Sequence, residues 1–159
     1  MSISKFSITV FFVLASIFII SCRGAGEIRR DYEYQEVTKV DASAEQIYDQ
    51  SLTWMAQAFE KSDDAIQLRD EENRRIVANA IVGVSFTDIA VTNVEMDLIV
   101  EAKDGRFRMT GRNYQLLSSS EYVEDRPLRE GHLEEVQKRM DSLRNDLKSY
   151  VKSSKSDDW

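Results

Sequence analysis

Two chemically reactive residues occur once each in this chain, Cys22 and His132, and together they limit the chemistry open to it. Cys22 closes the run Ile19-Ile20-Ser21-Cys22. A lone thiol can be a nucleophile, a metal ligand or an acyl acceptor, but it cannot form an internal disulfide. His132 is the only imidazole that could serve as a base, and it opens a helical pattern with Glu134 and Glu135 beside it, the setting of a solvated helix-end histidine. No G-x-S-x-G elbow, H-E-x-x-H pair or phosphate-cradling glycine loop occurs. Acids are plentiful, so a pair of the kind that cleaves glycosides stays open on composition alone. The expectation is a protein with no catalytic residues, no cofactor and no metal.

The stretch before Cys22 gives that thiol a use. Met1 to Lys5 carries one positive charge, and Phe6 to Ile20 is an uncharged apolar segment of signal-core length. A membrane-spanning helix needs about 20 apolar residues, so the run is short for a permanent span. No better small-x-small cleavage site precedes a polar region. Ile19-Ile20-Ser21-Cys22 resembles the lipobox of bacterial lipoproteins: aliphatic, aliphatic or small, small, then cysteine. The resemblance implies diacylglycerol on the Cys22 sulfur, cleavage before it and acylation of the new amino terminus. Two or more acyl chains hold a protein firmly on a bilayer. The expected organisation is a signal peptide over 1–21, a lipidated tether over 22–31, one α+β domain over 32–152 and a disordered tail over 153–159. The expected location is the bacterial envelope, facing the periplasm, with the membrane met through the lipid on Cys22.

Charge narrows the partners. The chain carries −7 overall, and loss of Lys5 with the signal leaves about −8. Such a domain lacks the concentrated positive surface that nucleic acid requires. Its overall charge likewise gives no attraction to anionic headgroups. An envelope protein is the remaining class of partner.

The elements that position side chains follow from periodicity. Tyr32 to Val40 alternates loosely as a strand. Ser43 and Gln46 have capping-box spacing, and the helix after them carries an apolar stripe of Tyr48, Leu52, Met55 and Phe59, with Ile47, Trp54 and Ala58 as its shoulder. Trp54 reads as a core anchor, with ligand stacking as the alternative. Ala65 to Arg69 and Arg75 to Phe86 are strands joined by the charged turn Asp70-Glu71-Glu72-Asn73, and the second places Ile76, Ala78, Ala80, Val82 and Val84 on one face. Leu133, Val136, Met140, Leu143, Leu147 and Tyr150 recur at helical spacing, either as a stripe on the protein's own sheet or as a short coiled-coil seam. Glu134 with Lys138 and Glu135 with Arg139 are spaced to pair on its exposed side.

The sharpest local signal is Asp104-Gly105 between Val94–Ala102 and Arg106–Leu116. A two-residue turn there sets Ala102 against Phe107, Val100 against Met109 and Leu98 against Gly111 on the buried face. Glu101 then meets Arg108, Ile99 meets Thr110 and Asp97 meets Arg112 on the other. That second face, expected to comprise Glu95, Asp97, Glu101, Arg108, Arg112 and Tyr114 around Ile99 and Thr110, is patterned for water or a polar partner. It is the candidate binding face of a non-catalytic interaction module. A small-molecule or lipid pocket between Trp54, Phe59 and the sheet is the alternative, and a hydrolase a more distant one.

The element order, with Ile47-Tyr48, Trp54 and Phe59, Asp63-Asp64-Ala65-Ile66-Gln67, Arg75-Ile76-Val77 and Lys103-Asp104-Gly105-Arg106-Phe107-Arg108, resembles a family of bacterial lipoproteins of unknown function with a fold like that of the TATA-binding protein. The resemblance spans Tyr32 to Tyr150. It implies an α+β fold in the order β-α-β-β-β-β-α: an antiparallel sheet of about five strands with two helices on one face. It supplies no catalytic residue, and the DNA binding of the fold's namesake does not follow from shape.

Overall fold

The computed structural model describes residues 29–59, 65–87, 90–117 and 126–153. The signal-like run, Cys22 and residues 154–159 of the expected tail lie outside the described residues. The order is β1 (Tyr34–Lys39), α1 (Ala44–Ala58), β2 (Ile66–Asp70), β3 (Arg75–Thr87), β4 (Ala90–Lys103), β5 (Arg106–Leu116), β6 (Arg126–Pro127), a 3-10 turn (Glu130–His132) and α2 (Leu133–Ser153). The strands form one antiparallel sheet in the order β1-β5-β4-β3-β2, with β6 paired to β5. The expected α+β order therefore stands, with a short sixth strand added.

Capping chemistry sets where α1 begins. The Ser43 hydroxyl accepts from the Gln46 amide at 3.2 Å while the Gln46 side chain accepts from the Ser43 amide at 3.1 Å. This satisfies two groups that the first helical turn would leave unpaired. Asp104, from the distant β4–β5 turn, adds a third acceptor to the Ala44 amide at 2.8 Å. Gly105 in the same turn has φ of 75°, a left-handed geometry that glycine reaches without strain. Its amide donates to Ala42 and its carbonyl accepts from Val40, each at 3.0 Å. The turn thus closes the hairpin and fastens the β1–α1 connection to it.

Register follows the turn. Ala102↔Phe107, Val100↔Met109 and Leu98↔Gly111 pair on the buried side, with Glu101↔Arg108, Ile99↔Thr110 and Asp97↔Arg112 on the other. Ile76, Ala78, Ala80, Val82 and Val84 of β3 share the buried side. Onto it α1 presents Ile47, Tyr48, Trp54 and Met55, and α2 presents Val136, Met140, Leu143, Leu147 and Val151. Val151 takes the last core position expected of Tyr150, which is half-buried. Ala58, expected in the apolar shoulder of α1, is exposed. The α2 stripe packs on the protein's own sheet and on α1.

Two α2 carboxylates tie the layers together. The Tyr34 hydroxyl donates to Asp141 at 2.8 Å, and the Trp54 indole N–H donates to Asp146 at 2.8 Å. Arg144 lies 3.3 Å from Asp141 and 3.9 Å from Glu36 of β1. On the exposed side of α2, Lys138 reaches both Glu134 and Glu135, at 2.9 and 2.8 Å, so Glu135 is paired there rather than with Arg139.

Candidate functional site

Among the described residues no helix covers the second face of the sheet. Its centre is the row Thr110, Ile99, Val77 and Leu68, read across β5, β4, β3 and β2 through their pairings. Ile99 is only 3 % exposed and Thr110 only 5 %. On one side of this row Arg108 brings Nη2 and Nε to the same Glu101 oxygen, at 2.6 and 2.7 Å. On the other side Asp97 accepts from Asn113 at 2.6 Å and lies 3.9 Å from the Arg112 Nε. Glu95 accepts from Asn79 at 2.6 Å. These exposed pairs set a pattern of charge more than they stabilise, each contributing up to about 1 kcal/mol.

The face is less polar than its β4–β5 sequence implies. Val37, Leu68, Ile81 and Val91 are 55, 45, 53 and 70 % exposed, and they are the exposed large hydrophobics among the described residues. Their partners are Arg108, Val77, Glu95 and Ser85, all of which point away from the helices. All four therefore stand on the uncovered side.

Tyr114 is a correction. Strict alternation from Arg108 through Arg112 would place it on the open face, yet it is 7 % exposed and on the helix side. Asn113 adopts φ of 56°, and the pairing with β4 slips between Asp97↔Arg112 and Glu95↔Gln115. The extra residue of this bulge reverses the side to which the next residue points. Tyr114 therefore packs against Tyr32, ring centroids 5.5 Å apart, and Gln115 takes its place outside. Burial pushes its hydroxyl well above the ordinary tyrosine range, offset only in part by the Tyr34 backbone. An asparagine inside a strand was the available signal, since it tolerates the left-handed region better than most residues.

The other chemistry-bearing residues are accounted for by structure. His132 is half-buried rather than fully solvated and stacks on Phe86 at 4.6 Å between centroids. Burial, with Arg129 and Arg126 nearby, lowers its pKa below the usual 6.5. Below that usual value the unfolded chain takes up the proton first, so the stability His132 contributes is present above about pH 6.5 and is lost as pH falls. Acidification should lower the unfolding midpoint of the parent more than that of a His132→Phe variant, as thermal melts at a series of pH values would show.

The charged turn after β2 is a local structure. The Asn73 backbone and side-chain N–H groups donate to Asp70 at 3.0 and 2.8 Å, holding its carboxyl below the ordinary range. Trp54 and Phe59 meet edge to face at 5.7 Å and are 2 and 7 % exposed, so the space proposed between them for a ligand is filled. Among the described residues no cluster of acids and histidine is arranged to hold a metal ion, and no helix is long and apolar enough to cross a membrane.

A twisted antiparallel sheet with two helices on one side and the other side open is an α+β domain with a TBP-like fold. Residues 34–116 match the model of DUF4468, a domain of unknown function with TBP-like fold, and the chain belongs to that family. A DUF4468 family protein from Bacteroides ovatus aligns with a TM-score of 0.62 at 15% identity, over 80% of this chain and 90% of that one. A TBP-like protein from Parabacteroides distasonis aligns with a TM-score of 0.62 at 10% identity, over 76% of this chain and 92% of that one. At such identities the likeness is one of fold. No curated protein matches the chain.

Proposed function

We propose that this chain is a lipid-anchored protein of the bacterial envelope whose uncovered sheet face docks a protein partner without catalysis. One observation carries the reading: Val37, Leu68, Ile81 and Val91 come from four strands and all expose their aliphatic side chains on the one face that the helices leave bare. Scattered single apolar residues are ordinary on a surface, but these four share one face, and that favours this face as the one a partner meets. The charged residues around them supply register, because a partner must oppose Arg108, Glu101, Arg112 and Asp97 in the right order. Cys22 and the residues before it support the anchor.

Crosslinking in intact cells followed by mass spectrometry tests both parts. The parent should capture a discrete partner. Leu68→Lys/Ile81→Lys should lose it while staying within a few degrees of the parent's unfolding temperature, since both side chains are about half exposed and a lysine at 81 faces Glu95. Cys22→Ala should lose both the membrane fraction and the partner. Equal capture by the Leu68/Ile81 variant would refute the docking face, and membrane retention of Cys22→Ala would refute the anchor.

A further inference from the structure

At the hairpin end of the open face, Lys39, Arg106 and Lys103 form one row across β1, β5 and β4, through the pairs Lys39↔Arg106 and Lys103↔Arg106. Neighbouring strands lie about 4.8 Å apart, and like charges directly opposite each other weaken a sheet. Two such pairs in succession, in a chain carrying −7, are a local cost that the fold does not require. None of the three cations has an ion-pair partner among the described residues.

The acids nearby are engaged elsewhere. Glu101 is held by Arg108 at 2.6 Å, and Asp104 accepts from the Ala44 amide at 2.8 Å. A cleft of about 260 Å³ opens beside the row, lined by Lys103, Arg106, Arg108 and Glu101, with Asn73 at its border. It is a concave site whose acid is already neutralised and whose remaining charge is positive.

We infer that this cleft binds a multivalent oxyanion of the phosphate class. Two unpaired cations line the cleft, Lys103 and Arg106, and Lys39 stands next in the row outside it, so the site suits more than the single charge of a carboxylate, and the forked guanidinium of Arg106 suits adjacent phosphoryl oxygens. Position separates two sources of that chemistry. β5 runs from Arg106 at this end to Leu116 beside β6, and just past β6 the Leu128 carbonyl accepts from the Arg29 amide at 3.0 Å. The chain arriving from Cys22 therefore enters at the opposite end of the strand, roughly 30 Å away at the usual rise per residue. The ligand is a phosphorylated molecule in solution rather than a headgroup of the anchoring bilayer. This last step rests on the anchor reading, whereas the anion site does not.

Calorimetric titration of the full chain in non-ionic detergent with sodium pyrophosphate, against sodium chloride of equal ionic strength, tests the site. Pyrophosphate should saturate one site. Lys103→Gln/Arg106→Gln should weaken binding about tenfold or more, through loss of two charge-assisted contacts. Lys152→Gln, an exposed cation on α2, should leave binding unchanged. Without ligand the double variant should unfold at the parent's temperature or above it, because its like-charge pairs are gone. Absence of saturable heat, or equal weakening by Lys152→Gln, would overturn the site. Co-sedimentation with phosphatidylglycerol vesicles without pyrophosphate binding would overturn the assignment to a soluble ligand.

Discussion

Trp54→Ala should lower the unfolding midpoint by roughly 15 °C, whereas Trp54→Phe should lower it by only a few degrees. The indole is 2 % exposed and meets Phe59 edge to face at 5.7 Å. It lies where α1 meets both the sheet and α2, so removing it leaves a cavity bounded by elements that cannot all collapse into it. Large aromatic truncations of this kind cost about 3–5 kcal/mol. Phenylalanine keeps most of that volume and gives up the hydrogen bond from the indole N–H to Asp146, 2.8 Å long. Asp146 is exposed, so its carboxylate turns to water and the loss stays near 1 kcal/mol. Thermal denaturation followed by circular dichroism reads both variants. If Trp54 were a ligand-stacking residue, alanine would leave the midpoint where it was, and that outcome would remove the core-anchor assignment.

The parts of this fold that local chemistry determines were legible from the chain. Asp104-Gly105 and the period-two alternation on either side set the β4–β5 register residue by residue, because a slip by one would turn Phe107 and Met109 to water. Ser43 and Gln46 placed the start of α1 for the same local reason. What could not be read is what distant parts of the chain do to one another. Tyr34 with Asp141 and Trp54 with Asp146 join residues 107 and 92 positions apart, and acids in an amphipathic helix look like solvated charges until the fold supplies their donors. Val37 and Leu68 stand singly between polar residues while Ile81 and Val91 adjoin other apolar ones, so which of them end up exposed on the open face emerges only when the strands are ordered β1-β5-β4-β3-β2.

Overall charge conceals local pattern in a related way. A net −7 argues against an anion-binding surface only if charge is spread evenly. Antiparallel pairing instead gathers Lys39, Lys103 and Arg106 into one row at the hairpin end. Local potential belongs to the register, and the register was fixed by the turn and by the buried face, with no regard to what it would bring together outside.

Gly111→Ala should lower the midpoint by roughly 10 °C, and Tyr114→Phe should restore part of that loss when the two are combined. Gly111 lies opposite Leu98 and Tyr34 on the helix side of β5, and it is buried. A methyl group there would collide with the Tyr114 hydroxyl and approach the Met140 Cε to 2.8 Å. Met140 can give way by turning about its flexible chain, but the Tyr114 ring is held by the Asn113 bulge and by Tyr32. Overpacking against so fixed a group costs about 1–3 kcal/mol. Among the described residues the hydroxyl has only the Tyr34 backbone near it, and no well-formed hydrogen bond, so Tyr114→Phe alone should be neutral or slightly stabilising. In the double variant the oxygen that blocks the methyl group is gone, and the two changes should couple favourably, as expected of residues in direct contact. Simple additivity in a double-mutant cycle of melts would mean that the small residue at 111 serves something other than this hydroxyl. Favourable coupling would tie the bulge, the inward turn of Tyr114 and the choice of glycine one strand from the sheet centre into one packing arrangement.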